Sequence, residues 1–234
     1  MSIQLTDRQR RIIEQVVNVF ETGTPRGDYG NISIYEDGPQ NIRQITYGRA
    51  QTTEFGNLRE LVKKYVEAGG WNSEELRPYL ALIGLAPLVD DERFKDLLQE
   101  AGREDPIMRR VQDEFFDERY FQPAMKWAAD EGFELPLSGL VIYDSFIHSG
   151  SILNTLREKF PECTPRDGGS EPAWTFAYVK TRHAWLANHY RPIVRKTTYR
   201  TSCLLHELQI GNWNLDLLPL MVRDIPVTGD ELEP

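Results

Sequence analysis

A mainly α-helical fold with one small β-hairpin near its start is what this sequence predicts. Three observations carry that prediction. Apolar residues recur at helical spacing in segment after segment. One stretch, 32–47, instead alternates apolar and polar residues around a cluster of turn formers. The boundaries are single glycines, prolines and Asp or Ser caps, with no repeat, no low-complexity tract and no linker. With 234 residues, 40% hydrophobic and 11% aromatic, the chain is long enough to bury a sizeable core. Such a core can be organised over 1–234 as one domain or as two small lobes.

The first helix opens at Thr6, whose spacing to Gln9 fits a capping box. Ile12, Ile13, Val16, Val17 and Phe20 form its apolar stripe. Gly23 stops it, which puts Glu21 in the last turn, at the negative end of the helix dipole. A carboxyl there is disfavoured as an anion, which suits a proton donor. Ile32-Ser33-Ile34-Tyr35 and Ile42-Arg43-Gln44-Ile45-Thr46-Tyr47 then read as two strands joined by 36–41. Asp37 stands where the first strand ends and solvent can enter. Further helices are predicted over 58–68, 73–85, 90–101 and 107–130, the last with a kink or break at Pro123. The 90–101 helix is expected to end before Gly102, and Asp105-Pro106 to cap the next. Residues 135–148 are apolar enough for a core helix ending at Gly150. A loop over 161–172 and helices over 174–190 and 194–208 complete the prediction.

Glu21 and Asp37 lie on separate elements, a helix end and a hairpin. Hydrolysis of a glycosidic bond needs two such carboxyl groups, one to protonate the leaving oxygen and one to activate water or attack the sugar. Asp-Gly is also a common turn pair, so Asp28 and Glu36 rival Asp37. The five tryptophans offer faces for sugar stacking, although core packing is their commoner use.

Other chemistries find less support. The net charge of −9 repels nucleic acid and attracts polycations. No apolar run is long enough to span a membrane, and the first residues lack a signal-peptide core. His206-Glu207 begins like a zinc motif, but Ile210 stands where the second histidine belongs, so no metal is expected. No phosphate-binding or dinucleotide glycine pattern occurs, and no G-x-S-x-G elbow. Cys163 and Cys203 have no metal or C-x-x-C spacing, and sequence leaves their pairing open.

The residues around the two acids resemble the glycoside hydrolase family 46 chitosanases. Their signature runs F-E-N-G-T, then D-G-R-G-Y-T and a glycine. Phe20-Glu21-Thr22-Gly23-Thr24 matches the first part and Asp37-Gly38 the second. After a short insertion, Arg43-Gln44-Ile45-Thr46-Tyr47-Gly48 stands where the family has R-G-Y-T-x-G. Tyr120-Phe121-Gln122-Pro123-Ala124-Met125-Lys126 is similar to Y-Y-Q-P-A-M-K, and 142–148 to M-Y-D-x-x-I-Q. Asp167-Gly168-Gly169, Trp174, Arg182, Tyr199-Arg200 and Asn214-Leu215 follow in the family's order.

The resemblance implies a lysozyme-like, two-lobed fold with the substrate cleft between the lobes. It implies an endo-acting, inverting hydrolase of β-1,4-linked glucosamine polymers, without a cofactor, secreted and monomeric, with a cationic polysaccharide as partner. Glu21 would be the general acid, Asp37 the general base, Thr46 the residue orienting the water and Arg43 the arginine beside the base. Asp144, Arg182 and Arg200 would form a buried salt-bridge network supporting the acid. The family commonly has T-x-x-G-D, whose Asp reads a glucosamine amino group. Here Thr53-Glu54-Phe55-Gly56-Asn57 ends in Asn57, so Glu54 and Asn57 are the candidate substrate-binding residues. Two other readings stay open: a muramidase- or chitinase-like hydrolase, and a carbohydrate-binding protein without catalysis.

Overall fold

The computed structural model describes residues 3–49 and 51–232. It is mostly helical with a small antiparallel sheet, and divides into two compact units. One is Glu21–Asp117; the other joins the segment up to Phe20 to the segment from Glu118 onward. The first boundary falls inside helix α1 (Asp7–Thr22), after Phe20. The capping box forms as predicted: Gln9 N–H donates to Thr6 Oγ1 at 3.2 Å, and Thr6 N–H to Gln9 Oε1 at 2.9 Å.

In the Glu21–Asp117 unit, β1 (Ile32–Tyr35), β2 (Gln44–Tyr47) and β3 (Thr52–Thr53) form an antiparallel sheet in that order. Two strands were expected; β3 is too short to show a period of two. The second strand begins at Gln44 rather than Ile42, because 38–42 close a loop on themselves. Gly38 N–H donates to Ile42 O at 3.0 Å and Ile42 N–H to Pro39 O at 3.1 Å. A Cβ at Gly38 would stand 2.7 Å from Ile42 O, so the loop requires glycine there.

Helices α2 (Leu58–Glu67), α3 (Ser73–Leu76), α4 (Glu92–Glu104) and α5 (Pro106–Phe116) follow. The single helix expected over 73–85 is instead the short α3 and a 3-10 stretch, Arg77–Ala81. Pro78 has no N–H for the Glu74 carbonyl, and its ring crowds that turn. Helix α4 runs through Gly102 instead of ending before it. A Cβ at Gly102 would lie 2.2 Å from Tyr29 O, so this glycine permits a close backbone approach. Asp105 caps α5 as predicted, Oδ1 accepting from Ile107 N at 2.8 Å.

A π-helical turn at Asp117–Phe121, beginning on the last residue of the Glu21–Asp117 unit, leads into α6 (Gln122–Asp130) of the other. The break foreseen at Pro123 takes this form, since the proline leaves the Arg119 carbonyl without an α-helical donor. Then come α7 (Pro136–Ser149), α8 (Asn154–Arg157), α9 (Glu171–Ala187), α10 (Pro192–Arg195) and α11 (Thr198–Gln209). Strands β4 (Leu220–Val222) and β5 (Ile225–Val227), absent from the prediction, close the chain as a hairpin. The stripe of α1 up to Phe20 packs in one core with Leu137, Leu140, Val141, Trp174, Tyr178 and Leu204. Among the described residues no helix is long and apolar enough to cross a membrane, and both cysteines are free.

Candidate active site

Glu21 sits half-buried in the last turn of α1, before Gly23, whose φ of +76° ends the helix. Asp37 is exposed just past the end of β1. Its Oδ1 accepts a hydrogen bond from Gln44 Nε2 at 2.9 Å. Two residues further along β2, and so on the same face of the strand, lies Thr46. Thr46 is 4% exposed, and its hydroxyl has no hydrogen-bond partner among the described residues. Buried hydroxyls rarely go unsatisfied, and a bound water is the usual answer.

Two expected site residues stand elsewhere. Arg43 does not contact Asp37; its Nη1 pairs with Asp90 at 3.4 Å, and the group bonded to Asp37 is Gln44. The turn over 38–42 leaves Arg43 outside the β-ladder, free to point away from Asp37. Glu54 is turned inward. It is 1% exposed, and its two carboxylate oxygens accept from Ile45 N at 3.0 Å and Leu88 N at 2.7 Å. Burial pushes this carboxyl above the usual range, while the two N–H donors oppose that shift. Glu54 ties a loop to the sheet. Asn57 is half-exposed at the N-terminus of α2. Of the two rivals to Asp37, Asp28 closes a local turn by accepting from Gly30 N at 3.0 Å, and Glu36 is exposed beside Asp37.

In the other unit, helices α7, α9 and α11 bring together Asp144, Arg182 and Arg200, all fully buried. Arg182 Nη1 donates to Asp144 Oδ2 at 2.5 Å; Arg200 Nε and Nη2 donate to Oδ1 at 2.9 and 2.6 Å. Burial alone would raise the Asp144 carboxyl, but the two guanidiniums outweigh it and hold it well below the carboxylate range. The cluster reaches the end of α1. The Arg200 guanidinium lies 4.9 Å from the Phe20 ring centroid, and Tyr199 OH donates to Phe20 O at 2.6 Å. Phe20 immediately precedes Glu21.

His148, one turn beyond Asp144, is mostly buried, and its Nδ1 has no partner among the described residues. Burial first, then Arg200, Arg182 and His189, push its pKa from 6.5 down to about 3, with Asp144 opposing. The folded protein therefore holds the ring neutral where the unfolded chain would protonate it. Unfolding takes up a proton between those values, so this residue costs stability as pH falls below 6.5. His148→Gln is expected to remove that slope, gaining up to roughly 2 kcal/mol over the parent at pH 5 and little at pH 8. Urea unfolding at both pH values checks it; an equal difference at the two would refute it.

The sequence profile of glycosyl hydrolase family 46 matches residues 15–220. A chitosanase of Bacillus subtilis (strain 168) is 30% identical, the alignment covering 94% of this chain and 83% of that one. Among solved structures, a family 46 chitosanase of Gynuella sunshinyii in complex with chitotetraose superposes with a TM-score of 0.82 at 27% identity, over 95% of this chain and 98% of that one. A glutamate-to-alanine variant of a Bacillus subtilis chitosanase complexed with 6 GlcN gives 0.82 at 26% identity, over 97% and 98%. The mostly helical fold with its small sheet is thus the one these enzymes share. With both acids, the buried ion-pair cluster and this match over most of its length, the chain belongs to glycosyl hydrolase family 46 and is a glycosidase.

Proposed function

We propose that this enzyme cleaves β-1,4-linked glucosamine polymers such as chitosan, internally and by a single displacement with inversion. The observation that carries the reading is the face of β2. There Thr46, a buried hydroxyl with no hydrogen-bond partner among the described residues, stands two strand positions from Gln44, whose amide holds one oxygen of the Asp37 carboxylate. That is a place for one water. Relatives named chitosanases, solved with chitotetraose and with glucosamine units, support the substrate class.

Glu21 donates its proton to the glycosidic oxygen as the C1–O bond breaks. Water held by Thr46 attacks C1 from the opposite face and gives its proton to Asp37. The products are a new reducing end of inverted configuration and a free hydroxyl on the leaving sugar. The Asp144–Arg182–Arg200 cluster acts at a distance from this chemistry, fixing Phe20 and with it the turn that carries Glu21. Residues 1–234 act as one catalytic domain of two lobes. An acidic surface of net charge −9 draws in the polycation. The enzyme acts outside the cell as a monomer and needs no cofactor.

The anomer formed first is the test. Early hydrolysis of glucosamine oligomers, followed by proton NMR, is expected to show the α-anomer, mutarotating later to the mixture. A first-formed β-anomer would refute single displacement. Asn57 favours a second reading, because its amide cannot offer an ammonium a full charge. Reducing-end release is expected to be faster on chitosan than on chitin or peptidoglycan; the reverse order would move the substrate to the N-acetylated polymers.

A further inference from the structure

We propose that Gln44 is a positioning residue for the base, gripping one oxygen of the Asp37 carboxylate so that the other is left for the attacking water. The inference rests on the reading of Asp37 as the base. Gln44 stands opposite Tyr35 in the ladder, and its side chain reaches past the strand end to the residue two further on. It is 5% exposed and held at both ends: Nε2 donates to Asp37 Oδ1 at 2.9 Å, and Oε1 accepts from Phe55 N at 3.2 Å. The Phe55 N–H can only donate, so the amide oxygen must face it and the NH₂ group must face Asp37. Turned the other way, the amide would set donor against donor and acceptor against acceptor. Its orientation is therefore fixed by the backbone.

Asp37 needs such a partner. It is an exposed side chain between a strand end and the turn at Gly38. Among the described residues its Oδ2 has no hydrogen-bond partner. One oxygen bonded to a buried, oriented donor and one facing solvent gives a base of defined geometry. The loop over 38–42 turns Arg43 toward Asp90, so the arginine cannot do this work. The family signature has glycine where Gln44 stands, and glycine has no side chain with which to reach the base.

Gln44→Ala and Gln44→Glu test the proposal on glucosamine oligomers, with Asp37→Asn as reference. Gln44→Ala is expected to lower kcat about 5- to 10-fold with KM changed less than about twofold. The acid limb of its kcat–pH profile should move upward, because the anion has lost a donor. Gln44→Glu keeps the volume but turns a like charge toward Asp37, and should move that limb further. A purely structural role would lower the melting temperature and leave the acid limb in place. If Gln44→Ala does not fold, the isosteric Gln44→Glu carries the test. Unchanged kcat and acid limb, with Asp37→Asn inactive, overturn this inference alone. A fully active Asp37→Asn overturns the base assignment and this inference with it.

Discussion

Glu21→Gln is expected to keep the fold and the affinity for oligosaccharide while losing at least about 10²-fold in kcat, the lower end of what general acid catalysis contributes. The substitution preserves the volume of a half-buried side chain at a helix end, so little in the packing has reason to change. What it removes is the proton. Breaking a glycosidic bond without protonating the leaving oxygen expels an alkoxide, and nothing else in the assigned machinery carries a proton to that atom. The residue before Glu21 is held by side chains of α11. Tyr199 binds the Phe20 carbonyl and Arg200 covers the Phe20 ring, so the last turn of α1 stays formed in the variant. Reducing-end assays give the rate, calorimetry with glucosamine oligomers the binding, and a melting curve the fold. More than about a tenth of the parent activity would remove Glu21 from the acid role.

The local features of the sequence were legible where the physics is local. A capping box, an apolar stripe and a stopping glycine are all read within about five turns of chain, and α1 follows them. The loop after Asp37 was visible as turn formers, but not its closure on Ile42, which depends on backbone angles of +57° at Gln40 and +61° at Asn41. That closure decides where Arg43 goes. Glu54 illustrates a different blindness. Its N–H donates to Ile45 O at 2.8 Å and its carboxylate accepts from Ile45 N, so a side chain extends the ladder where the backbone of β3 has ended. Spacing cannot say whether a carboxylate after a strand turns out to a ligand or in to an N–H. In the sequence Gln44 is one more polar residue in an alternating strand. Its importance comes from Phe55 and Asp37, the two groups that fix its amide. The β4–β5 hairpin escaped because its turn residues, Arg223 and Asp224, adopt positive φ without a glycine. Asp144, Arg182 and Arg200 lie on three helices separated in the chain. Only the family resemblance brought them together before the fold did.

Asp144→Asn should be the most destabilising of the substitutions considered, by about 3–5 kcal/mol, and should lower activity less than Glu21→Gln does. Asp144 accepts from both guanidiniums with both oxygens, and neither arginine has solvent to turn to. An asparagine keeps one acceptor and presents an NH₂ group to the other arginine, leaving two buried cations and no anion. At this chain length about 1 kcal/mol corresponds to roughly 2–4 °C, so the melting temperature should fall on the order of 10 °C. The pH dependence gives the sharper reading. The carboxyl is held below its ordinary range, so its contribution is complete above about pH 4 and is lost as pH falls toward its folded value. The parent should therefore lose its advantage over Asp144→Asn as pH drops from about 4 to 2, converging on the variant. Activity should suffer through position and not through chemistry, because Arg200, once released, no longer holds its place over Phe20 next to the acid. A higher KM with kcat reduced less than about 10²-fold would fit that route. A melting temperature within about 2 °C of the parent at pH 7 would show that the cluster does not hold this unit together.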